Sequence, residues 1–372
     1  MFFHVILTDE CNLCCRYCRG KISDAFLPVD DDCTLDVNLP LELAYDLSDL
    51  YSFLSRDPSP CITFYGGEPL IRADLVREIM DHAPVSRFMV QTNGLLLDGV
   101  GQEYLNRMET ILVSVDGPED LTDYHRGKGT FRSVISQIKT LRNGGYPGEV
   151  IARMTVTQKT DILTSVRYLV FNDDCPFSSV HWQIDADFSR NARIQDFRGW
   201  LDHSYNPGVR QLIEDWVGFM EEEGRVARWY PFLQTTEDLL QGRNSRLRCG
   251  CGYANYTIMT DGNIGPCPAM IGMSDYYVGH IRTADPLSLP EIGLSGSCPT
   301  CDIFGFCGGR CLYADATRPW SPEQKELICS AVYALREGLT GVLPRIRECI
   351  ESGRVHLEDF SHTRYNGCEI IP

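Results

Sequence analysis

Residues 11–18 read Cys-Asn-Leu-Cys-Cys-Arg-Tyr-Cys. Taking Cys11, Cys15 and Cys18 gives a C-x3-C-x2-C spacing directly after an apolar run, Met1-Phe2-Phe3-His4-Val5-Ile6-Leu7. Three thiolates on one loop can hold three irons of a 4Fe-4S cluster. The fourth iron then stays open to a ligand, as a catalytic zinc keeps one position free. A zinc loop or a set of packing thiols would use the same residues. Cys14 is the extra cysteine of the loop and is read as a non-ligand.

Other segments carry chemistry of their own. Gly66-Gly67-Glu68-Pro69 follows the apolar run Cys61–Phe64. Its glycines let backbone approach a ligand closely, and its carboxylate can receive an ammonium group. Gln91-Thr92-Asn93-Gly94 and Ser114-Val115-Asp116-Gly117-Pro118 close two further apolar runs. Ser114, Arg126 and Arg153 are candidates for gripping a carboxylate, a task that suits the guanidinium fork.

A second group of thiols comprises Cys249, Cys251, Cys267, Cys298, Cys301, Cys307, Cys311 and Cys329. Their segment is rich in Gly and Pro and poor in periodic apolar runs. It cannot build much core, so bound metal is expected to hold it together. Structural zinc is the alternative occupant. The six remaining cysteines, Cys14, Cys33, Cys61, Cys175, Cys349 and Cys368, read as packing or surface thiols. Seventeen cysteines cannot all pair within one chain, and no signal peptide precedes them, so metal binding is favoured over disulfides.

The C-x3-C-x2-C loop, with Tyr17 before its last cysteine, resembles the signature of radical S-adenosylmethionine (SAM) enzymes. The Gly-Gly-Glu-Pro segment about fifty residues later resembles that family's GGE motif. The resemblance implies a SAM-chelating cluster on Cys11, Cys15 and Cys18, and a 5′-deoxyadenosyl radical that removes a hydrogen atom from a substrate. It also implies cofactor contacts from Tyr17, Gly66, Gly67, Glu68, Pro69, Asn93, Ser114, Arg126 and Arg153. Segment 249–329 resembles the seven-cysteine SPASM domain, with Asp261-Gly262 at the corresponding place. That likeness implies two auxiliary 4Fe-4S clusters, so three clusters in all. Cys249, Cys267 and Cys311 would serve the first, and Cys298, Cys301, Cys307 and Cys329 the second. Cys251 either completes the first cluster or stands beside it.

Enzymes of this kind mostly modify ribosomally made peptides or proteins, by crosslinking, decarboxylation or oxidation. A peptide or protein substrate is therefore expected, with a flavodoxin- or ferredoxin-type electron donor and a separate leader-peptide-binding protein as partners. Formylglycine formation, as in anaerobic sulfatase maturases, is an alternative. It calls for an Asp after the cysteine at position 267, where this chain has Pro268. Asp275 or Asp302 would have to act as base instead. A non-catalytic iron–sulfur carrier or zinc module is the third reading, and the SAM-type motifs argue against it.

These residues need a scaffold. Strands are predicted at Phe2–Leu7, Cys61–Phe64, Phe88–Thr92, Thr110–Val115, Val150–Val156 and Val180–Ile184. Helical patterns intervene near Pro40–Ser55, Arg72–His82, Thr130–Arg142 and Thr160–Phe171. This alternation predicts an α/β fold, a partial (β/α)6 TIM-like barrel, with sites at the C-terminal ends of the strands. Helices over Pro207–Glu223 and Pro231–Gly242 bridge to the small Cys-rich domain, and a terminal helix spans Pro322–Glu351. The expected division is 1–200 for the core, 201–248 for the bridge, 249–335 for the SPASM domain and 336–372 for the terminal helix and tail. The 372 residues carry a net charge of −17, with no basic patch, so a nucleic-acid partner is not expected. No apolar run is long enough for a membrane span, and a cytoplasmic location is expected. Asp30-Asp31-Asp32 and Glu221-Glu222-Glu223 read as solvated charges.

Overall fold

The computed structural model describes residues 1–18, 34–172, 174, 177–185 and 194–372. Asp30–Asp32, Cys33 and Cys175 lie outside the described residues. Six strands alternate with helices as the apolar patterning predicts: β1 Phe2–Ile6, β2 Cys61–Tyr65, β3 Arg87–Thr92, β4 Met108–Ser114, β5 Glu149–Val156 and β6 Ser179–Ile184. They pair in parallel and in sequence order. All their C-terminal ends, and the loops that follow, therefore share one rim of an unclosed barrel. Both faces are covered, which explains the near-continuous Val, Ile, Leu and Phe content of these strands. Phe3, Val5, Ile62, Phe64, Val90, Ile111, Val113 and Ile151 are all fully buried.

The crossovers include α1 Leu47–Leu54, α2 Ala73–His82, α3 Glu119–Arg126, α4 Thr130–Asn143 and α5 Ile162–Phe171. The helix expected from Pro40 starts only at Leu47, where Asp46 caps it by accepting from the Ser48 amide at 2.8 Å. The residues before it are extended instead. Leu41 and Leu43 exchange backbone hydrogen bonds with Asp9 and Leu7. Helix α3 was not anticipated by periodicity.

The sheet runs on at both edges. β7 (Arg228–Trp229) pairs with β6. On the other side β8 (Asn255–Ile258) lies parallel to β1, followed by β9 (Asn263–Gly265) and β10 (Gly279–His280) in antiparallel order. One ten-stranded sheet thus carries both cysteine-bearing regions. Helices α6 (Asn206–Glu223) and α7 (Tyr230–Gln241) lead to the second region. The terminal helix α8, Pro322–Glu351, starts at a capping box between Ser321 and Gln324 with Pro at its first turn. The division expected at 335/336 falls inside this helix. Arg345 joins α8 to α6 through Glu214 and Glu221, at 2.6 and 2.7 Å. The Cys-rich segment has only a small core of its own, Leu247, Cys251, Met270, Met273, Leu312 and Tyr313. Among the described residues no helix is long and apolar enough to cross a membrane.

Candidate active site and thiol clusters

The first cysteine loop leaves β1 at the C-terminal rim, and three neighbouring strand ends hold it. From β2, the amides of Gly67 and Glu68 donate to the carbonyls of Thr8 and Glu10 at 2.9 and 2.8 Å. Glycine is required for that approach. A Cβ on Gly66 would stand 2.2 Å from the Thr8 carbonyl oxygen, and one on Gly67 would stand 2.3 Å from that of Glu10. The glycines expected to admit a ligand thus admit the cysteine loop.

Glu68 is 1% exposed. Its carboxylate accepts from the Leu70 amide at 3.1 Å, the Thr92 hydroxyl at 2.7 Å and the Asn93 amide at 2.7 Å. Burial raises its pKa, and these hydrogen bonds oppose the rise. Glu68 therefore ties the β2 loop to the end of β3, with the buried Pro69 opening the turn after it. Asn93 continues the chain of contacts, its side-chain amide donating to Asn12 at 2.7 Å inside the loop.

The fourth strand end supplies a hub that the sequence did not single out. Asp116 is completely buried and pairs with Arg126, itself 6% exposed. The guanidinium donates two bonds, at 2.9 and 3.1 Å. The Tyr17 hydroxyl donates to the same carboxylate at 2.8 Å, and the Thr155 amide from β5 at 3.0 Å. Tyr17 sits between Cys15 and Cys18 in the chain, so this hub anchors the far end of the loop. Arg126 also lies over the Tyr17 ring at 5.4 Å. Its guanidinium, a candidate for gripping a carboxylate, is engaged by Asp116.

Burial raises the Cys11 pKa and pushes that of Cys15 up to about 11. Proximity adds to both shifts: Cys18 raises Cys11, and Cys18 and Cys11 raise Cys15. The three thiols therefore lie near enough for their charges to repel as thiolates, a repulsion that a bound cationic cluster would relieve. Cys14 is exposed. Ser114 and Arg153 are register partners on β4 and β5. Arg153 donates to Gln183 at 3.2 Å, while its buried Nε has no hydrogen-bond partner.

The second region gathers its thiols into two groups. Cys251 is flanked by both Cys249 and Cys267, whose sulfurs hydrogen-bond it and raise its pKa. Burial pushes Cys311 up to about 11, with Cys267 and Cys249 adding to the rise. These four form one group. Burial also raises Cys329, with Cys298 and Cys301 adding to it, and pushes Cys307 up to about 11, with Cys329 adding to it. Those four form the other, lining a cavity of about 530 Å³. Donor type and grouping fit iron–sulfur ligation. Asp275 accepts from the Thr34 amide at 2.6 Å, and Asp302 accepts from Tyr333. Cys61, Cys349 and Cys368 are buried. Glu221 is engaged by Arg345 and Glu223 by Arg225.

Residues 5–161 match the model of the radical SAM superfamily. The mycofactocin maturase MftC of Mycolicibacterium smegmatis is 23% identical over 337 residues, covering 83% of this chain and 77% of that protein. The structure of native anSMEcpe with bound AdoMet superposes with a TM-score of 0.70 at 17% identity, covering 94% of this chain and all of that one. Streptococcus suis SuiB bound to its precursor peptide SuiA gives a TM-score of 0.51 at 16% identity, over 88% and 75% of the two chains. The superfamily match runs from the end of β1 through β5 and takes in every loop that braces Cys11, Cys15 and Cys18, and over that region the chain is similar to radical SAM proteins.

Proposed function

We propose that this chain is a radical SAM enzyme that removes a hydrogen atom from a peptide or protein and leaves it oxidised or crosslinked. The observation that carries the proposal is the bracing of the Cys11–Cys18 loop by Gly67, Glu68, Asn93 and Asp116 from three strand ends. When bound, SAM and its cluster supply one-electron cleavage of a C–S bond and a carbon radical. The protein's part is to hold and orient. Cys11, Cys15 and Cys18 would ligate the SAM cluster. Glu68 and Asp116 fix the loop that carries them. Ser114 and Arg153, adjacent on β4 and β5, would take the SAM carboxylate, because Arg126 is committed to Asp116.

In this reading Cys249, Cys251, Cys267 and Cys311 ligate one auxiliary cluster. Cys298, Cys301, Cys307 and Cys329 ligate the other. A peptide substrate is supported by the likeness to a maturase and to an enzyme solved with its precursor peptide. A flavodoxin- or ferredoxin-type donor would supply electrons. Pro268 opens the turn after Cys267, so no carboxylate adjoins that cysteine and formylglycine chemistry is disfavoured.

The test is anaerobic purification, reconstitution, iron and sulfide counting, and assay of reductive SAM cleavage. About twelve irons per chain and release of 5′-deoxyadenosine are expected. Cys15→Ala should abolish cleavage while Cys14→Ala retains it. Zinc content without cleavage overturns the reading.

A further inference from the structure

Arg310 lies between Cys307 and Cys311, one cysteine from each auxiliary group. It is 8% exposed. Its backbone sits at φ +54°, a left-handed conformation that residues with a Cβ avoid. The guanidinium lies 5.3 Å from the Trp320 ring centroid. It reaches the Ile184 carbonyl, at the end of β6, only at 3.4 Å. Its Nε has no hydrogen-bond partner. Two other buried arginines differ. Arg126 holds Asp116, and Arg248 holds Asp238 at 2.7 Å. Among the described residues no carboxylate pairs with Arg310.

A buried guanidinium without a counterion is costly, and so is a left-handed non-glycine residue. The charge persists where the surroundings offer an anion, and the strained backbone where packing fixes the residue in place. Arg310 lines the 530 Å³ cavity together with Cys298, Cys301, Cys307, Cys311 and Cys329. As iron ligands those cysteines would be thiolates and would supply the anionic charge around it.

We infer that Arg310 is a positioning residue for electron transfer: its fixed positive charge between the two thiol groups raises the reduction potential of the clusters they hold. The inference rests on the iron–sulfur reading of those groups. Each reduction step adds one electron from an external reductant to a cluster. No proton moves, because the guanidinium stays protonated at any working pH. The added negative charge then faces Arg310, which stabilises the reduced form, and net charge around a cluster is one of the terms that sets its potential.

The experiment is a dithionite redox titration of full-length reconstituted protein, followed by EPR, with iron and sulfide counted in each sample. Arg310→Gly removes the charge and suits the left-handed backbone; Arg310→Gln removes the charge at similar length. With iron retained, both should lower the reduction equilibrium constant of the auxiliary signals at least ten-fold, about 59 mV for one electron. The shift should be largest for the cluster on Cys298, Cys301, Cys307 and Cys329. Arg310→Lys should recover most of it. Unchanged potentials at full iron content overturn the role of Arg310 alone. Loss of auxiliary iron in all three variants makes the residue structural and also overturns it. Wild-type protein with no iron beyond the SAM cluster overturns the ligand reading itself.

Discussion

Replacing Asp116 by alanine is the most direct probe of how the site is held. The carboxylate receives two bonds from Arg126, one from Tyr17 and one from the Thr155 amide. Its removal leaves a guanidinium that is 6% exposed without a counterion. Breaking a buried pair from one side costs about 3–5 kcal/mol. Against a typical total of about 5–15 kcal/mol, that is a large share. Tyr17 loses its acceptor at the same time, so the cysteine loop should loosen and iron should leave the SAM site. Asp116→Asn keeps volume and one acceptor, and should lose about 1–3 kcal/mol. Adding Arg126→Met to Asp116→Ala removes the stranded charge and should recover most of the stability. Anaerobic guanidinium unfolding, followed by tryptophan fluorescence and paired with iron counts, measures all three. An Asp116→Ala protein within about 1 kcal/mol of wild type, or a double variant no better than the single, refutes the argument.

Further outcomes follow from the same contacts. Gly67→Ala places a Cβ against the Glu10 carbonyl and should remove about a third of the iron, the SAM cluster's share, together with SAM cleavage. Gly199→Ala, with no atom within 4 Å of the added carbon, should behave as wild type in the same iron count. Thr92→Val removes the hydroxyl that donates to Glu68 at 2.7 Å and should cost about 1–3 kcal/mol in unfolding free energy, because a buried carboxylate loses a donor. Burial holds His181 down to about 3 and His4 to about 4, so both are neutral in the fold. Unfolded, each takes a proton below about 6.5, so the unfolded state binds more protons as pH falls. Their stability contribution is present above about 6.5 and lost progressively toward the folded values. Unfolding midpoints should therefore drop between about pH 7.5 and 5.5, and less so in His181→Phe; a rise on acidification contradicts this.

The parallel strands were readable because burial on both faces writes them as apolar runs, and the strand ends then located the motif loops. Helix α8 was readable as an amphipathic stretch over Pro322–Glu351, and the fold adds the capping box of Ser321 and Gln324 at its start. The start of α1 was not, because Leu41 and Leu43 prefer backbone partners in the loop after β1, a contact between residues over thirty apart in the chain. Helix α3 was missed because Glu119–Arg126 is short and strongly polar, with too few apolar positions to show a period. The cysteines were legible as candidate ligands since their chemistry lies in type and spacing. Asp116 was not, since an Asp beside a Gly after a strand is commonplace. Only the fold brings Tyr17, Arg126 and Thr155 to it. Gly66 and Gly67 were singled out for close approach to a ligand, and the fold adds that both also lie hard against the backbone of Thr8 and Glu10.

The pairing of β1 with β8 bears on how this protein is made. β1 leaves the ribosome well before one of its two neighbours, with His4 and Asn255 separated by 251 positions. At about 5–20 residues per second, one side of β1 stays open for roughly ten seconds to a minute. An unpaired apolar strand edge is a template for wrong partners. Slow translation or scarce iron would lengthen that interval, so yield from a heterologous host should depend on chaperone supply and growth temperature before it depends on any property of the finished site.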